Sequence, residues 1–496
     1  MIYAFAAQGI TTVLAFVTRT VMVNTIGIEA ISINGLFTEV IQALSLAELG
    51  IGGAIVYSLY QPLAQKNVKK ICQLMTLFQT VYRVIAMVTL GLGLALCPFI
   101  QYIVTDIGYS VYYIREIYIL FVLQISSSYL FTYKTSLLNA DQNMHMYSLI
   151  ATLVKVIGTL LMIAALLVTN KYIVYLIANI MSTVLTNVAI SMYVDKKYTF
   201  LKFDNTLPKE ERRIIFGNVK NIFVKQLSGK ITNSTDNILI SVLVSTIYVG
   251  YYSFYAVILS TFKSLIDKVD ESIYASMGNL YVTESNERCL SVLSRLTWIY
   301  GNIAVFSGVC IFNCMDPFIS GWVGNEYLLP ESVLIVLCIN LFLYISCKPI
   351  YQAMHLSGFF KEGRNISIIG STVNLITSVI LGMKLGMLGI FIGTFMTYFI
   401  QIVLKIKDVF QMRFKISCRN YVCMWGTMFG TLVVGMFLSK EISQQFIISN
   451  YWLEFFKNGC ISAMVSTGLI ILFSFKREEF RYSLDLAKKM VTRKKI

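Results

Sequence analysis

Met146-Tyr-Ser-Leu-Ile-Ala-Thr-Leu-Val-Lys-Val-Ile-Gly-Thr-Leu-Leu-Met-Ile-Ala-Ala-Leu-Leu-Val168 is an apolar run broken by a single cation, Lys155, near its middle. A helix of about 20 such residues crosses the roughly 30 Å hydrocarbon core of a bilayer. Similar runs recur along almost the whole chain of 496 residues, which is 56% hydrophobic and only 14% charged. Soluble domains carry about 25% charged residues, so the composition is that of a polytopic all-α integral membrane protein. Fourteen spans are expected, at about 2–24, 35–60, 72–99, 115–138, 146–168, 171–194, 216–242, 247–275, 296–315, 332–354, 366–383, 386–404, 420–439 and 455–475. Only the seventh and eighth are polar enough for a hydropathy scan to pass over. The first has no basic region ahead of it and no small-residue cleavage site, so it reads as a span and not as a cleaved signal peptide.

Charge placement sets the orientation. With a cytoplasmic N-terminus, 26 Lys and Arg fall in inside segments, among them Lys66, Lys69, Lys70, Lys196, Lys197, Arg212, Arg213, Lys405, Lys407 and Arg413. Five fall outside: Arg115, Lys171, Lys384, Lys440 and Lys457. This bias is the positive-inside pattern, and it places both termini in the cytoplasm. The net charge of +15 therefore implies no nucleic-acid partner. The ten Cys are scattered through apolar segments and read as small hydrophobes, and Cys310 and Cys314 have no His nearby to make a metal site. No cofactor is expected.

The remaining ten of the 41 basic residues lie inside expected spans: Arg19, Arg83, Lys134, Lys155, Lys220, Lys225, Lys230, Lys263, Lys268 and Lys348. A cation at the bilayer centre costs about 2.5–3.5 kcal/mol on insertion scales. Lys220, Lys134 and Lys348 lie near span ends, where snorkelling accounts for them. Lys263 and Asp267, four apart, form an expected pair, and Lys268, Asp270 and Glu271 read as the wet end of span eight. Arg19, Arg83, Lys155, Lys225 and Lys230 remain at depth. Mutual pairing of Arg19 and Arg83 with Glu48 is one account of part of this set. The other is a wet cationic cavity that receives an anion.

Span seven is half polar. Lys225, Ser228, Thr232 and Asp236 fall within about 80° of helix surface, and Gln226, Gly229, Lys230, Asn233 and Asn237 widen that arc to about 200°. Polar packing between helices needs fewer charges than this. Ser228, Thr232, Asn233 and Asn237 are thus candidate cavity-lining residues, and Lys225 and Lys230 candidate anion ligands. Glu48, followed by Gly50, Gly52 and Gly53, sits where span two can bend. Glu48 and Asp236 are the candidates for H+ or Na+ coupling, or for charge balance.

A weak internal repeat divides the chain. Tyr129-Leu-Phe-Thr-Tyr-Lys134 parallels Tyr344-Ile-Ser-Cys-Lys348, and Arg19 aligns with Asn237 at a similar offset. The expected organisation is an N-terminal six-helix lobe (1–195), a basic cytoplasmic linker (196–215) and a C-terminal six-helix lobe (216–408). Two extra helices (409–476) and a basic tail (477–496) follow. Six spans per unit make the repeat parallel, with a central cavity between the lobes.

Several stretches carry a resemblance to a known family: Arg19-Thr20, Asn34-Gly-Leu-Phe37, Leu44-Ser-Leu-Ala-Glu-Leu-Gly-Ile-Gly52, Tyr57-Ser-Leu-Tyr60-Gln-Pro-Leu63, Thr235-Asp-Asn-Ile-Leu-Ile-Ser241 and Val249-Gly-Tyr-Tyr252. Over about residues 1–410 the chain resembles bacterial polysaccharide flippases of the MATE-like (multidrug/oligosaccharidyl-lipid/polysaccharide) superfamily, of the O-antigen and teichoic-acid type. The resemblance implies two six-helix lobes, a cationic cavity, and flipping of undecaprenyl-diphosphate-linked oligosaccharide across the cytoplasmic membrane, with no enzyme activity. Other glycan-assembly membrane proteins are its implied partners. Members usually carry a short basic segment before span one. This sequence lacks it, which implies a start upstream of Met1. A cation-coupled multidrug exporter of the same superfamily is the alternative, and it would favour acids and aromatics in the cavity. A glycan polymerase would need a large basic outward loop, whereas 100–114 and 316–331 hold no Lys or Arg. An intramembrane acyltransferase would need a His at depth, but His145 and His355 fall at loops or helix ends.

Overall fold

A computed structural model describes residues 2–48, 51–202, 207–213, 215, 235–446, 448–475 and 477–482. Regular structure among the described residues is helical. The chain divides into two compact units, Met1–Ser253 and Phe254–Ile496.

The first unit contains α1 (Ile2–Leu44), α2 (Ile51–Ala64), α3 (Val68–Leu96), α4 (Val111–Ala140), α5 (Met144–Thr169), α6 (Tyr172–Lys197) and α7 (Asp236–Leu243). The start of α8 (Thr246–Thr283) belongs to it as well. The second unit continues α8 and adds α9 (Asn286–Trp322), α10 (Glu331–Ser346), α11 (Lys348–Leu356), α12 (Phe360–Leu385), α13 (Met387–Asp408), α14 (Arg419–Gln444) and α15 (Tyr451–Ser474).

Eleven of the described helical segments are long and apolar enough to cross a membrane. This differs from the fourteen expected spans for identifiable reasons. The first two expected spans meet at Gly27, whose non-helical φ of 79° and ψ of 178° suit glycine: α1 is two helices joined across a kink there, and Gly9–Leu44 counts as one long segment. The second half of span two breaks at Ser45–Glu48 and resumes as α2, which is too short to count alone. α8 is not among the eleven, its Thr246–Lys263 stretch being rich in Tyr, Ser and Thr, and most of span seven lies outside the described residues.

The termini of these helices follow local chemistry. Ser110, Ser285, Asn67 and Asn450 cap α4, α9, α3 and α15 by accepting backbone N–H groups that a helix start leaves free. Inside the helices, hydroxyls such as Thr18, Thr25, Thr76 and Ser367 donate to the carbonyl four residues back, which satisfies them without water. Large apolar side chains such as Leu153, Ile157 and Leu161 lie exposed on α5 as a lipid-facing surface does.

Within the first unit the chain alternates direction. Gly108 N–H donates to Glu29, Thr105 N–H to Thr246, and Ser32 to Ile247 O, so these loops gather at one end. At the other end Lys70 pairs with Glu211, and Asp141 accepts from Lys197 and Tyr198. The basic loop residues of this unit sit at that second end. α1 crosses the start of α8 closely, since a Cβ on Gly250 would stand 2.8 Å from Ile28 Cδ1. The core between α2, α3, α4 and α6 is built from Leu59, Phe78, Tyr82, Leu137 and Val194.

In the second unit α12 and α13 form a tight hairpin turned by Gly386, at φ 59°. Gly389 and Gly393 lie four apart on the touching face, the small-residue spacing that lets membrane helices approach. A Cβ on Gly393 would meet Ser378 Cα at 2.9 Å. Gly393→Val should therefore force the hairpin apart and cost about 3 kcal/mol. Thermal unfolding of the purified protein in detergent measures this, and an unchanged midpoint would show that the close approach is not required.

Candidate cationic site in the first unit

Arg19 lies two turns before the Gly27 kink, on a helix that packs against both α3 and α5. It is half-buried, and its Nε is buried with no hydrogen-bond partner. The phenol of Tyr175 on α6 is its electrostatic neighbour. Arg83 is exposed on α3, close to the Tyr133 hydroxyl, which accepts from Gln79 Nε2 at 3.1 Å. Lys155 is exposed on α5. Among the described residues none of these three makes an ion pair. The structure places them on α1 and on two helices that pack against it, with no ion-pair partner among the described residues.

Two helix faces explain how such cations are accommodated. Thr76, Gln79, Thr80 and Arg83 line one face of α3, and Ser148, Thr152 and Lys155 line one face of α5, at the i, i+3/i+4, i+7 spacing. On α3, Thr76 and Thr80 donate to the carbonyls four residues back and Gln79 to Tyr133, which leaves Arg83 as the charge of that stripe to be met by water or a polar ligand. Both stripes are visible in the sequence once the cation at one end is taken as the starting point.

Glu48 sits in the break between α1 and α2. The Tyr82 hydroxyl donates to its Oε1 at 3.4 Å, and the Tyr129 phenol lies within electrostatic reach. The carboxylate therefore meets tyrosines, and Arg19 and Arg83 meet phenols in turn, so the mutual pairing considered for these residues is not what the helices build. Tyr82 and Tyr129 come from α3 and α4, and nothing in the local sequence marks them as neighbours of Glu48. Asp236 and Asn237 open α7, and Asn237 Oδ1 is buried without a hydrogen bond. Lys225, Lys230, Ser228, Thr232 and Asn233 lie outside the described residues, as does Lys220.

The other intramembrane cations among the described residues have partners. Lys134 donates to both oxygens of Asp195 at 2.7 and 2.6 Å and to Ser191 at 2.6 Å. Lys348 donates to Asp267 at 2.6 Å and lies 4.2 Å from the centroid of the Tyr344 ring. Snorkelling is thus replaced by pairing at both positions. Asp267 also accepts from Tyr344, and Lys263 stands over that same ring at 5.1 Å. The pair expected within span eight is in fact a four-residue cluster spanning α8, α10 and α11. Asp270, read from sequence as part of a wet helix end, instead accepts from Gln352 at 2.7 Å and Tyr300 at 3.2 Å. Only Lys268 and Glu271 make the exposed pair expected of such an end. All ten cysteines are free thiols.

Residues 1–268 match the family described as polysaccharide biosynthesis protein. No curated protein matches the sequence. Among solved structures the fold is similar to that of the lipid II flippase MurJ in an inward closed conformation, with a TM-score of 0.70, 16% identity, and coverage of 96% of this chain and 99% of that one. An inward-facing multidrug resistance MATE family transporter of the MOP superfamily gives a TM-score of 0.63 and 15% identity over 83% of this chain and 96% of the other. A Vibrio cholerae MATE transporter, VcmN, gives 0.54 and 11% over 82% and 95%. At these identities the likeness establishes the fold, that of the MurJ and MATE transporters.

Lys348→Met should leave Asp267 with the Tyr344 hydroxyl but no cation, and the fold should lose about 1 kcal/mol, since the carboxylate is partly exposed. The double variant K348M/D267N should recover part of that loss. Thermal midpoints in detergent check the order, and equal losses in the single and double variants would show that the pair is energetically idle.

Proposed function

The chain belongs to the polysaccharide biosynthesis protein family, and on that premise we propose that it is a flippase. Its substrate is an undecaprenyl-diphosphate-linked oligosaccharide, carried across the bacterial cytoplasmic membrane for surface polysaccharide export of the O-antigen, capsule or teichoic-acid type. The observation that carries this reading is the set of cations in apolar helices that make no ion pair among the described residues: Arg19, Arg83 and Lys155. Sequence adds Lys225 and Lys230. The similarity of the fold to a lipid II flippase supports the same class of cargo.

A diphosphate supplies what these groups lack. Its oxygens accept charge-assisted hydrogen bonds, two at once from a guanidinium, and a cavity screened from bulk water strengthens that attraction. The glycan occupies the polar lumen, and the polyprenyl tail stays in lipid. Alternating access then exposes the bound headgroup first to the cytoplasm and then to the outside. No bond is made or broken, so the protein is not an enzyme. Glu48 and Asp236 are the acids available for H+ or Na+ coupling. The basic loops place both termini in the cytoplasm.

Arg19→Ala, Arg83→Ala and Lys155→Ala should each reduce surface glycan at least about tenfold at unchanged protein level, the worth of one charge-assisted hydrogen bond. Arg19→Lys should retain part of the activity, since it keeps the charge and loses the fork. Immunoblots of cell-surface glycan and of the protein itself provide the readout. Normal export in all three alanine variants would remove the cationic site and favour the multidrug-exporter alternative.

A further inference from the structure

A second polar feature lies in the second unit, on residues other than the cations just described. A cavity of about 170 Å³ opens among α9, α10, α14 and α15, lined by Asn313, Asp316, Glu331, Lys440, Glu454 and Asn458. These residues lie at the C-terminal ends of α9 and α14 and the N-terminal ends of α10 and α15. The basic segments at Arg288, Arg413, Arg419 and Arg477 lie at the opposite ends of the same helices. By the positive-inside pattern the cavity faces the outside.

Its charges do not balance. Three carboxylates line it against one ammonium, and Lys440 Nζ is bonded to Glu331 Oε1 at 2.6 Å. Asp316 receives the Tyr255 hydroxyl, which is itself anchored by Leu329 N–H at 2.9 Å. The Asp316 Oδ1 atom is buried and has no hydrogen-bond partner. Asn458 is only 6% exposed, and its Oδ1 is likewise buried and unpartnered.

The amide orientation of Asn458 is fixed by its surroundings. Its Nδ2 donates to Asn313 O at 3.0 Å, and Asn313 Nδ2 donates to Ser439 Oγ at 2.7 Å and Ser462 Oγ at 3.0 Å. Flipping Asn458 would set two acceptors face to face and forfeit a bond. The lining therefore presents two buried acceptor oxygens, Asp316 Oδ1 and Asn458 Oδ1, without a hydrogen-bond partner, an arrangement that calls for water or a cation in the pocket.

Among the described residues no group of three or more acidic, His or Cys side chains is placed to hold a metal ion. A divalent cage is thus not what is built. Carboxylate and amide oxygens around a space with room for water suit a partly hydrated alkali ion. We propose that this pocket binds a monovalent alkali cation, with Asp316 and Asn458 as inner ligands and Glu454 at the mouth. The ion would join the two C-terminal helices to α9 and α10 under control of the external salt. The site is separate from the cationic residues of the first unit, so it stands or falls independently of the flippase reading.

The test uses the full-length protein purified in detergent, with binding of radiolabelled Na+ and the thermal midpoint followed as NaCl replaces choline chloride at constant ionic strength. Saturable Na+ binding with a rising midpoint is expected. Asp316→Asn and Asn458→Leu should weaken half-saturation by at least about tenfold, the loss usual when a metal site is disturbed. Glu454→Gln, at the mouth, is the variant that decides if the buried ones do not fold, and it too should bind Na+ more weakly. The proposal is overturned if choline reproduces the Na+ response, if Ca2+ fills the site at lower concentration than Na+, or if Glu454→Gln retains wild-type half-saturation.

Discussion

Hydrocarbon does not solvate charge, and much of this structure follows from that constraint. Each ionised side chain at depth must find a partner, water or a ligand. Lys134 finds Asp195 and Ser191, and Lys348 finds Asp267 and the face of Tyr344. Lys405 lies 3.2 Å from the centroid of the Tyr351 ring. Asp270 is met by a phenol and an amide. These arrangements draw on two or three helices at a time, so they fix neighbours and register as well as charge. Arg19, Arg83 and Lys155 stand out because the same molecule pairs its other cations so thoroughly.

Backbone groups obey the same constraint. α1 is interrupted at the non-helical Gly27, which joins two helices across a kink. A further break comes at Ser45–Glu48, where an acid and a hydroxyl are available to meet freed backbone groups. Ser45 Oγ donates to Gln42 O at 2.7 Å at that point. A bent helix beside a carboxylate is thus a single feature, with Glu48 held by Tyr82 across the bend.

The helical membrane fold is legible in the sequence because each apolar run is long enough to span on its own, as Met146–Val168 shows. The span count is less legible, since nothing local distinguishes a glycine that kinks a helix from one that ends it. Charge partners are less legible still. Lys134 and Asp195 are 61 residues apart, and Lys348 and Asp267 are 81 apart. Repeat symmetry gives no help here: the matching Tyr-and-Lys motifs take their acids from different places, one from α6 further along the chain and one from α8 before it. The tyrosines around Glu48 are hidden for the same reason, coming from α3 and α4. What sequence does reveal is a helical stripe that ends in a cation, as on α3 and α5, because that requires only spacing along one helix.

The unsatisfied atoms of the two candidate sites differ in kind. In the first, Arg19 Nε is a donor without an acceptor, beside the Tyr175 phenol, which cannot take its charge. In the second, Asp316 Oδ1 and Asn458 Oδ1 are acceptors without donors, beside carboxylates. A buried donor of fixed charge selects for anions, and buried acceptors beside carboxylates select against them. One ligand cannot satisfy both. A chain that carries a diphosphate past one set while holding the other empty would keep uncompensated negative charge at the outer ends of α9 and α14, where the Lys440–Glu331 pair already uses the available ammonium. Separate occupants for the two sites remove that cost, and they let the affinity of each be set without altering the other.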